Sequence, residues 1–145
     1  FNVKVGEVYN ISLGVANHMG SLQFYRVCVK FRNQTEPPPN TITNTPSPIP
    51  SLYTQYVFLR DGNNLEHLLI FSFSNVSFSE NRSSIGSLIV NDIAFNIDKS
   101  AMWDSENNGY YYQLFVELWV YNTHSKTVQF SNRFVGIWLN ITKTI

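Results

Sequence analysis

Charged side chains are scarce in this sequence of 145 residues. Lys plus Arg number 10 and Asp plus Glu number 10, so charged residues make up 14% of the chain, against roughly 25% in an average domain. The net charge is zero and no basic stripe alternates with aromatic residues, so nucleic acid is not expected as a partner. Polarity comes instead from Asn, Ser, Thr and Tyr, which suits an exported surface. An intracellular β protein of low charge is the alternative.

Cysteine is almost absent, and motifs for catalysis are absent altogether. The single Cys28 excludes an internal disulfide and a cysteine-based metal cluster. His18, His67 and His124 are scattered without H-x-x-x-H spacing, so no zinc site is predicted. There is neither a G-x-S-x-G elbow nor a phosphate-binding glycine loop. We therefore expect a protein that is not an enzyme and carries no cofactor.

Long hydrophobic runs are missing as well. No apolar run approaches the roughly 20 residues of a membrane helix, and no signal peptide is recognisable. The chain begins at Phe1, which predicts a piece cut from a longer protein whose targeting segments lie elsewhere. Hydrophobic residues at 43% and aromatic residues at 15% supply a core for one domain over 1–145 and exclude disorder.

The hydrophobic pattern that is present repeats every two residues, and no segment sustains a period of 3.6. Alternating segments are "YNISLGVAN", "YRVCVKF", "LEHLLIFSFSNVSF", "SLIVNDIAFNI", "GYYYQLFVELWVY" and "VQFSNRFVGIWLNI". Frequent turns and the lack of crossover helices predict an all-β fold. We expect an antiparallel β-sandwich, immunoglobulin-like, with seven to eight strands and a long proline-rich loop.

Two details of the strands can be predicted from local sequence. Asn91-Asp92 matches a two-residue hairpin turn, which pairs Val90 with Ile93 and places Leu88 opposite Phe95 one step outward. In "LEHLLIFSFSNVSF" the apolar residues change parity along the segment, which predicts a bulge.

All six prolines lie between Pro37 and Pro50. The residues before this segment are too few to fold alone, so it is interpreted as a stiff, polyproline-like loop within one domain rather than as a linker. A ligand for a proline-recognising partner is the alternative.

Five Asn-x-Ser/Thr triplets, a modest excess over chance, are candidate acceptors for N-glycosylation. They begin at Asn10, Asn33, Asn75, Asn81 and Asn140. Strand parity and loop positions predict that all five asparagines face solvent, with Asn81 the strongest candidate. Acceptors of this kind indicate a glycoprotein exported from the cytoplasm.

Two resemblances agree with export. "NVKVGEVYNISLGVANHMGSLQFYRVCVKFRNQT" resembles the opening of bacterial cell-adhesion-related sandwich domains. "WDSENNGYYYQLFVELWVYN" and "NRFVGIWLNIT" are similar to the extracytoplasmic C-terminal part of an archaeal family of predicted membrane proteins of unknown function, the DUF sixteen-sixteen family. The second resemblance covers nearly the whole chain. It implies a sandwich held at the cell surface by membrane helices and carries no catalytic residues.

Two polar sites have competing interpretations. "WDSENNG" brings oxygen ligands of the type that calcium accepts, from Asp104 to Asn108, but its spacing matches no EF-hand loop and an ordinary turn is favoured. Cys28 lies on one strand face with Arg26 and Lys30, and neighbouring cations of this kind favour a reactive thiol. The favoured alternative is a small side chain under a loop.

Glu117 and Arg133 lie near the middles of the last two long strands, each among large side chains. Their positions predict a structural ion pair across the strands.

The last two strands are apolar on both faces. Leu114, Val116, Leu118 and Val120, with Val135, Ile137 and Leu139, are assigned to the core. The opposite face carries Tyr111, Phe115, Trp119, Tyr121, Phe130, Phe134 and Trp138. Seven exposed rings exceed the apolar patch that monomers usually tolerate, so the face is either covered by the chain's own proline-rich loop or "AMWDSE" turn, or is an interaction surface.

Three functional hypotheses remain at this point. The first is a non-catalytic extracytoplasmic module that acts in protein interaction, with a protein partner or a second copy, or in envelope structure. The second is a module that binds glycans or another small ligand through exposed aromatic rings. The third, a hydrolase, lacks the residues that hydrolysis requires.

Overall fold

The structure is a computed structural model and describes residues 1–143. These residues form nine strands and no helix. The strands are β1 (Asn2–Lys4), β2 (Tyr9–Ala16), β3 (Gln23–Asn33), β4 (Tyr53–Leu59), β5 (Asn64–Ser79), β6 (Arg82–Val90), β7 (Ile93–Met102), β8 (Tyr111–Asn122) and β9 (Thr127–Thr142). The count exceeds the expected seven to eight. The sequence did not reveal β1, because three residues are too short for a periodic signal, or β4, which follows the prolines directly.

The strands form two sheets that pack against each other, which confirms the all-β sandwich. The first sheet has the order β1-β9-β8-β3-β4 and the second has the order β2-β5-β6-β7. All neighbours are antiparallel except β1 and β9, which are parallel. Tyr112, Phe31, Phe71 and Phe73 are among the largest side chains buried between the sheets.

Strand alternation decides which residues enter this core. The odd residues of β3, from Tyr25 to Phe31, belong to the core cluster, together with Leu114 and Val116 from the even positions of β8. The core assignment made from sequence is therefore confirmed for Leu114 and Val116. Val135 is the exception: it lies opposite Val116 but is 56% exposed.

The β6–β7 hairpin has the predicted register. Val90 pairs with Ile93 and Leu88 pairs with Phe95. Asn91 and Asp92 have positive φ values of 48° and 66°, as a tight two-residue hairpin turn requires.

The parity change in β5 is real, but a register shift against β6 does not produce it. Phe73 and Val76 both face the core, although two residues lie between them and regular alternation would place them on opposite faces. Asn75 lies between them with a φ of 53°, opposite the backbone of Gly86, while the register with β6 continues on both sides. The register shift lies one strand further, between β6 and β7, where Asp98 also has a positive φ. Backbone irregularities therefore occur at neighbouring positions of β5, β6 and β7 in the second sheet.

The proline-rich connector, residues 34–52, joins β3 to β4 and folds back onto the outer face of the first sheet. Its middle is a tight turn closed by paired backbone hydrogen bonds between Asn40 and Thr45, so it is not extended throughout as a polyproline-like loop would be. Asn132 of β9 donates a hydrogen bond to the carbonyl oxygen of Thr41. The connector thus adds a third layer over part of the sandwich; it is called the proline-rich loop below.

Candidate interaction surface

A buried ion pair fastens the proline-rich loop to the first sheet. Lys30 of β3 and Glu117 of β8 lie on the outer face, with 2.7 Å between Nζ and Oε1. The amide of Ser47 in the loop donates to Glu117 Oε2 at 2.7 Å, and the Ser47 carbonyl oxygen accepts from Lys30 Nζ at 2.8 Å. Glu117 is 0% exposed. The loop therefore completes the solvation of both charges and seals them from water.

This arrangement corrects the predicted pair between Glu117 and Arg133. Arg133 lies opposite Leu118, whose side chain packs against the core, whereas Glu117 lies opposite Phe134 on the outer face. Side chains directly opposite each other share a face, so Glu117 and Arg133 point to opposite sides of the sheet. The partner of Glu117 comes from β3 instead.

The proline-rich loop lies over the middle of the outer face of β8, where the Ser47 amide donates to Glu117. Phe115 and Phe130 are buried, and Tyr111 and Trp119 are partly buried. Tyr121, Phe134 and Trp138 are exposed around the margins of the cover. The seven rings consequently do not form one continuous surface.

Two guanidinium groups of β3 lie over aromatic rings in the remaining part of this surface. Arg26 lies 4.5 Å from the ring centroid of Trp119, and Arg32 lies 4.9 Å from that of Trp138. Arg32 also donates to Gln113 at 2.6 Å, and burial lowers the pKa of its guanidinium. Such contacts fix both rings as parts of the fold.

The uncovered part of the first sheet carries a different set of apolar side chains. Beyond the loop, at the start of β3 and the ends of β4 and β8, a concavity of about 430 Å³ opens to solvent. We call it the aromatic groove; its main lining side chains are Met19, Leu22, Phe24, Phe58, Tyr121 and His124. Phe58 is 68% exposed, and Met19, Leu22 and Tyr121 are exposed as well.

The aromatic rings on the floor of the groove support one another. Phe24 of β3 lies opposite Phe58 of β4, with 4.7 Å between ring centroids. Phe24 also stacks on Tyr56, with the two planes within 5° of parallel and 5.6 Å between centroids. Tyr56 is 57% exposed, so this stack presents a flat ring to solvent beside the groove.

Hydrogen bonds hold the two loops that form the walls. In the β2–β3 loop, the fully buried Asn17 donates to the carbonyl oxygens of Ser21 and Leu59, and its own Oδ1 accepts from the amide of Met19. In the β8–β9 turn, Asn122 Oδ1 accepts from the amide of His124. The groove is therefore formed by the fold itself, before any partner arrives.

Cys28 does not have the surroundings of a reactive thiol. It is buried on the same face as Arg26 and Lys30, but those cations are engaged with Trp119 and Glu117 respectively. The favoured interpretation, a small side chain beneath the covered face, matches this position.

The acidic turn is stabilised by its own hydrogen bonds. Asp104 Oδ1 accepts from the amides of Glu106 and Asn107, while Oδ2 accepts from the side chains of Asn107 and Gln34. The Asn107 bonds are the main reason that the pKa of Asp104 is lowered. A structural turn explains these residues, and residues 1–143 include no group of three His, Cys, Asp or Glu side chains able to hold a metal ion.

The five candidate acceptor asparagines differ in accessibility. Asn10, Asn75 and Asn81 are exposed. Asn33 is partly buried, and its Nδ2 donates to the carbonyl oxygen of Ser100. Asn140 is buried, which corrects its expected exposure: its Oδ1 accepts from the amide of Tyr110, and its Nδ2 donates to Asn2.

Sequence reasoning missed the aromatic groove because it missed β4. The segment "YTQYVFL" alternates Tyr53, Gln55 and Val57 with Thr54, Tyr56 and Phe58, so both faces carry large apolar residues. That pattern was a detectable signal. The contribution of Met19 and Leu22 depends on how the β2–β3 loop folds, which no local pattern indicates.

Comparison with known proteins adds no relative. No family model, curated protein or solved structure matches the chain. Within residues 1–143 the structure contains no helix with the length and apolarity to cross a membrane. The function must therefore be argued from the surface of the sandwich itself.

Proposed function

We propose that this protein is a non-catalytic interaction module and that the aromatic groove is its contact surface. The observation that carries the proposal is the contrast across one sheet face: the chain's own loop bonds to Glu117 and Lys30, which are buried, whereas Phe58 and Tyr56 stay open to solvent. Exposed aromatic side chains that border a preformed concavity are typical anchors of protein interfaces. The partner is a protein at the cell surface, either a second copy or another envelope protein.

Site-specific photocrosslinking tests this proposal. A photoreactive amino acid is placed at Leu22, on the groove wall, and, as the matched control, at Leu68, which is exposed on the other sheet. We expect a defined crosslinked product in native membranes from position 22 only. Phe58→Ser in the same chain should abolish that product. Equal crosslinking from both positions, or a product unaffected by Phe58→Ser, would contradict the proposal.

Glycan binding is the second candidate, and the stack of Phe24 on Tyr56 favours it. The face of a sugar ring packs on a flat, exposed aromatic ring, and Tyr56 presents such a ring. A glycan array with the intact protein tests this candidate, with Tyr56→Ala as the variant. Signals that persist in Tyr56→Ala, or an array without signals, would count against it.

We also propose an extracytoplasmic location, as part of a membrane-anchored archaeal surface glycoprotein. The resemblance to the DUF sixteen-sixteen family, the low charge and the exposed acceptors Asn10, Asn75 and Asn81 support this proposal. Locating the full-length gene product by membrane fractionation and protease accessibility from outside the cell tests it.

The immunoglobulin-like topology stays a proposal that applies best to the first sheet. The order β9-β8-β3-β4 corresponds to the sheet of a variable domain that contains strands G, F, C and C′. The second sheet departs from that pattern, because β5, β6 and β7 follow one another as neighbours after β2.

A further inference from the structure

One side of the sandwich is open between the edges of the two sheets. β2 ends the second sheet and pairs only with β5, so its other edge is unpaired. In the first sheet β1 pairs with β9 at Asn140–Thr142 only, which leaves the edge of β9 before Trp138 without a neighbouring strand. Unpaired edges of this kind present backbone donors and acceptors to an incoming strand.

The core is incomplete beneath this opening. A cavity of about 310 Å³ lies between β2 and β9 and reaches the core residues Val15, Val27 and Val116. Val135 lies on the same face as Val116, yet it is more than half exposed. An apolar side chain inserted here would complete the core.

The pairing of β9 with β1 shows which backbone groups of β9 point toward its free edge. The amide of Asn140 donates to the carbonyl oxygen of Phe1, and the Trp138 carbonyl oxygen accepts from the amino group of Phe1. Because backbone groups alternate in direction along a strand, the N–H and C=O groups of Gly136 and Phe134 face the same free side. The pairing of β1 shows that this edge accepts a parallel strand. The same edge of β9 continues, without a partner strand, from Phe134 to Gly136.

The charged side chains at the opening indicate which charge a bound partner would have. Arg133 and His18 line the cavity, and no acidic side chain does. The Arg133 guanidinium forms no ion pair or hydrogen bond with any residue between 1 and 143. A second copy of β9 would bring another Arg133 to this place and add like charge. An acidic group in the occupant would neutralise the site.

We propose that an extended peptide segment of a partner protein binds along β9 as an additional strand of the first sheet. Its backbone pairs with Phe134 and Gly136, its apolar side chains enter the cavity beside Val135, and an acidic side chain at one end of that apolar row pairs with Arg133. This mode of binding takes affinity from backbone hydrogen bonds and specificity from alternate side chains. It uses a different surface from the aromatic groove and goes beyond the function proposed above.

Synthetic peptides of eight residues test the proposal on the intact protein. In each peptide Val or Ile alternates with Thr, and Asp replaces either the first or the last of the apolar residues. Fluorescence anisotropy should detect binding of at least one peptide. The same peptide with Lys in place of Asp should bind about fivefold more weakly, as for an exposed ion pair. N-methylation of alternate amides on the edge that pairs with β9 should abolish binding, because those amides are the donors that a new strand needs.

Variants of the protein locate the binding. Val135→Lys should abolish binding, and Arg133→Gln should remove the preference for Asp over Lys. Ile93→Ser, at an exposed position of β7 on the far edge of the second sheet, should leave the affinity unchanged. Amide exchange by NMR should slow at Phe134 and Gly136 in the complex. Failure of every peptide to bind, equal affinity for the N-methylated peptide, or dimerisation through β9 in sedimentation measurements would overturn the proposal.

Discussion

Glu117 and Lys30 form a buried ion pair whose enclosure depends on a loop from elsewhere in the chain. The 2.7 Å contact joins β8 to β3, and the backbone of Ser47 bonds to both side chains. The pair therefore couples two strands of the first sheet to the proline-rich loop.

Glu117→Gln should lower the free energy of unfolding by about 3 to 5 kcal/mol, because it leaves the Lys30 ammonium buried without a counter-charge. Urea denaturation followed by tryptophan fluorescence measures the change. Glu36→Gln is the matched control: its pair with Lys99 is partly exposed, so its loss should cost about 1 kcal/mol or less. The double variant Lys30→Met with Glu117→Leu should recover only part of the lost stability, because it removes the buried charge but leaves the Ser47 amide and carbonyl oxygen without these partners. Similar losses for the two single variants would contradict the assigned role.

Gly109→Ala should destabilise the fold by about 1 to 3 kcal/mol. A Cβ at this position would overlap the side-chain amide of Asn140, which is itself buried and hydrogen-bonded to Tyr110. Thermal unfolding by circular dichroism is the measurement. Gly14→Ala serves as control because a Cβ there meets no atom within 4 Å, and its melting temperature should stay close to that of the wild type.

Tyr112 should make stability fall at alkaline pH. Burial is the main reason that its pKa is raised above the ordinary value of 10.0, although its hydroxyl bonds to Ser83 across the two sheets. The unfolded chain loses this proton above pH 10.0 while the folded chain keeps it. The stabilisation is therefore complete below pH 10.0 and is lost as the pH rises through the folded pKa. Urea denaturation between pH 8 and 11 should show a steeper decline for the wild type than for Tyr112→Phe; equal slopes would exclude this contribution.

The acceptor asparagines should be used selectively. In natively produced protein we expect glycans on Asn10, Asn75 and Asn81, whose side chains are exposed, and none on Asn140. Glycopeptide mass spectrometry identifies the occupied sites, and Asn81→Gln should remove one glycan from the intact mass. An unmodified intact mass would show that the triplets are unused. Occupancy of Asn140 would contradict the packing described for it.

Much of the fold was predictable because its determinants are local. The alternation in "YRVCVKF" predicted a strand, and the Asn91-Asp92 turn predicted the register of a hairpin. Pairing between segments that are distant in the sequence could not be predicted. The partner of Glu117 is Lys30, on a strand that precedes it by more than 80 residues, and no periodicity in either segment indicates that β3 and β8 are neighbours.

The candidate site was predictable only in part, for a related reason. The pairing of β8 with β9 places the seven aromatic residues on one face, as assigned, but neither the position of the loop that contains the prolines nor the strand that exposes Phe58 was predicted. Where a long connector settles depends on hydrogen bonds such as that from Ser47 to Glu117, which join distant parts of the chain.

The proline-rich loop also has a consequence for the order of folding. Ser47 reaches Glu117 across 70 residues of sequence, and its binding site exists only after β3 and β8 have paired. We therefore predict that the loop docks after the rate-limiting step. Ser47→Pro, which removes the amide that donates to Glu117, should accelerate unfolding and leave the refolding rate nearly unchanged. The lifetime of the native protein thus depends on a segment that contributes no strand to either sheet.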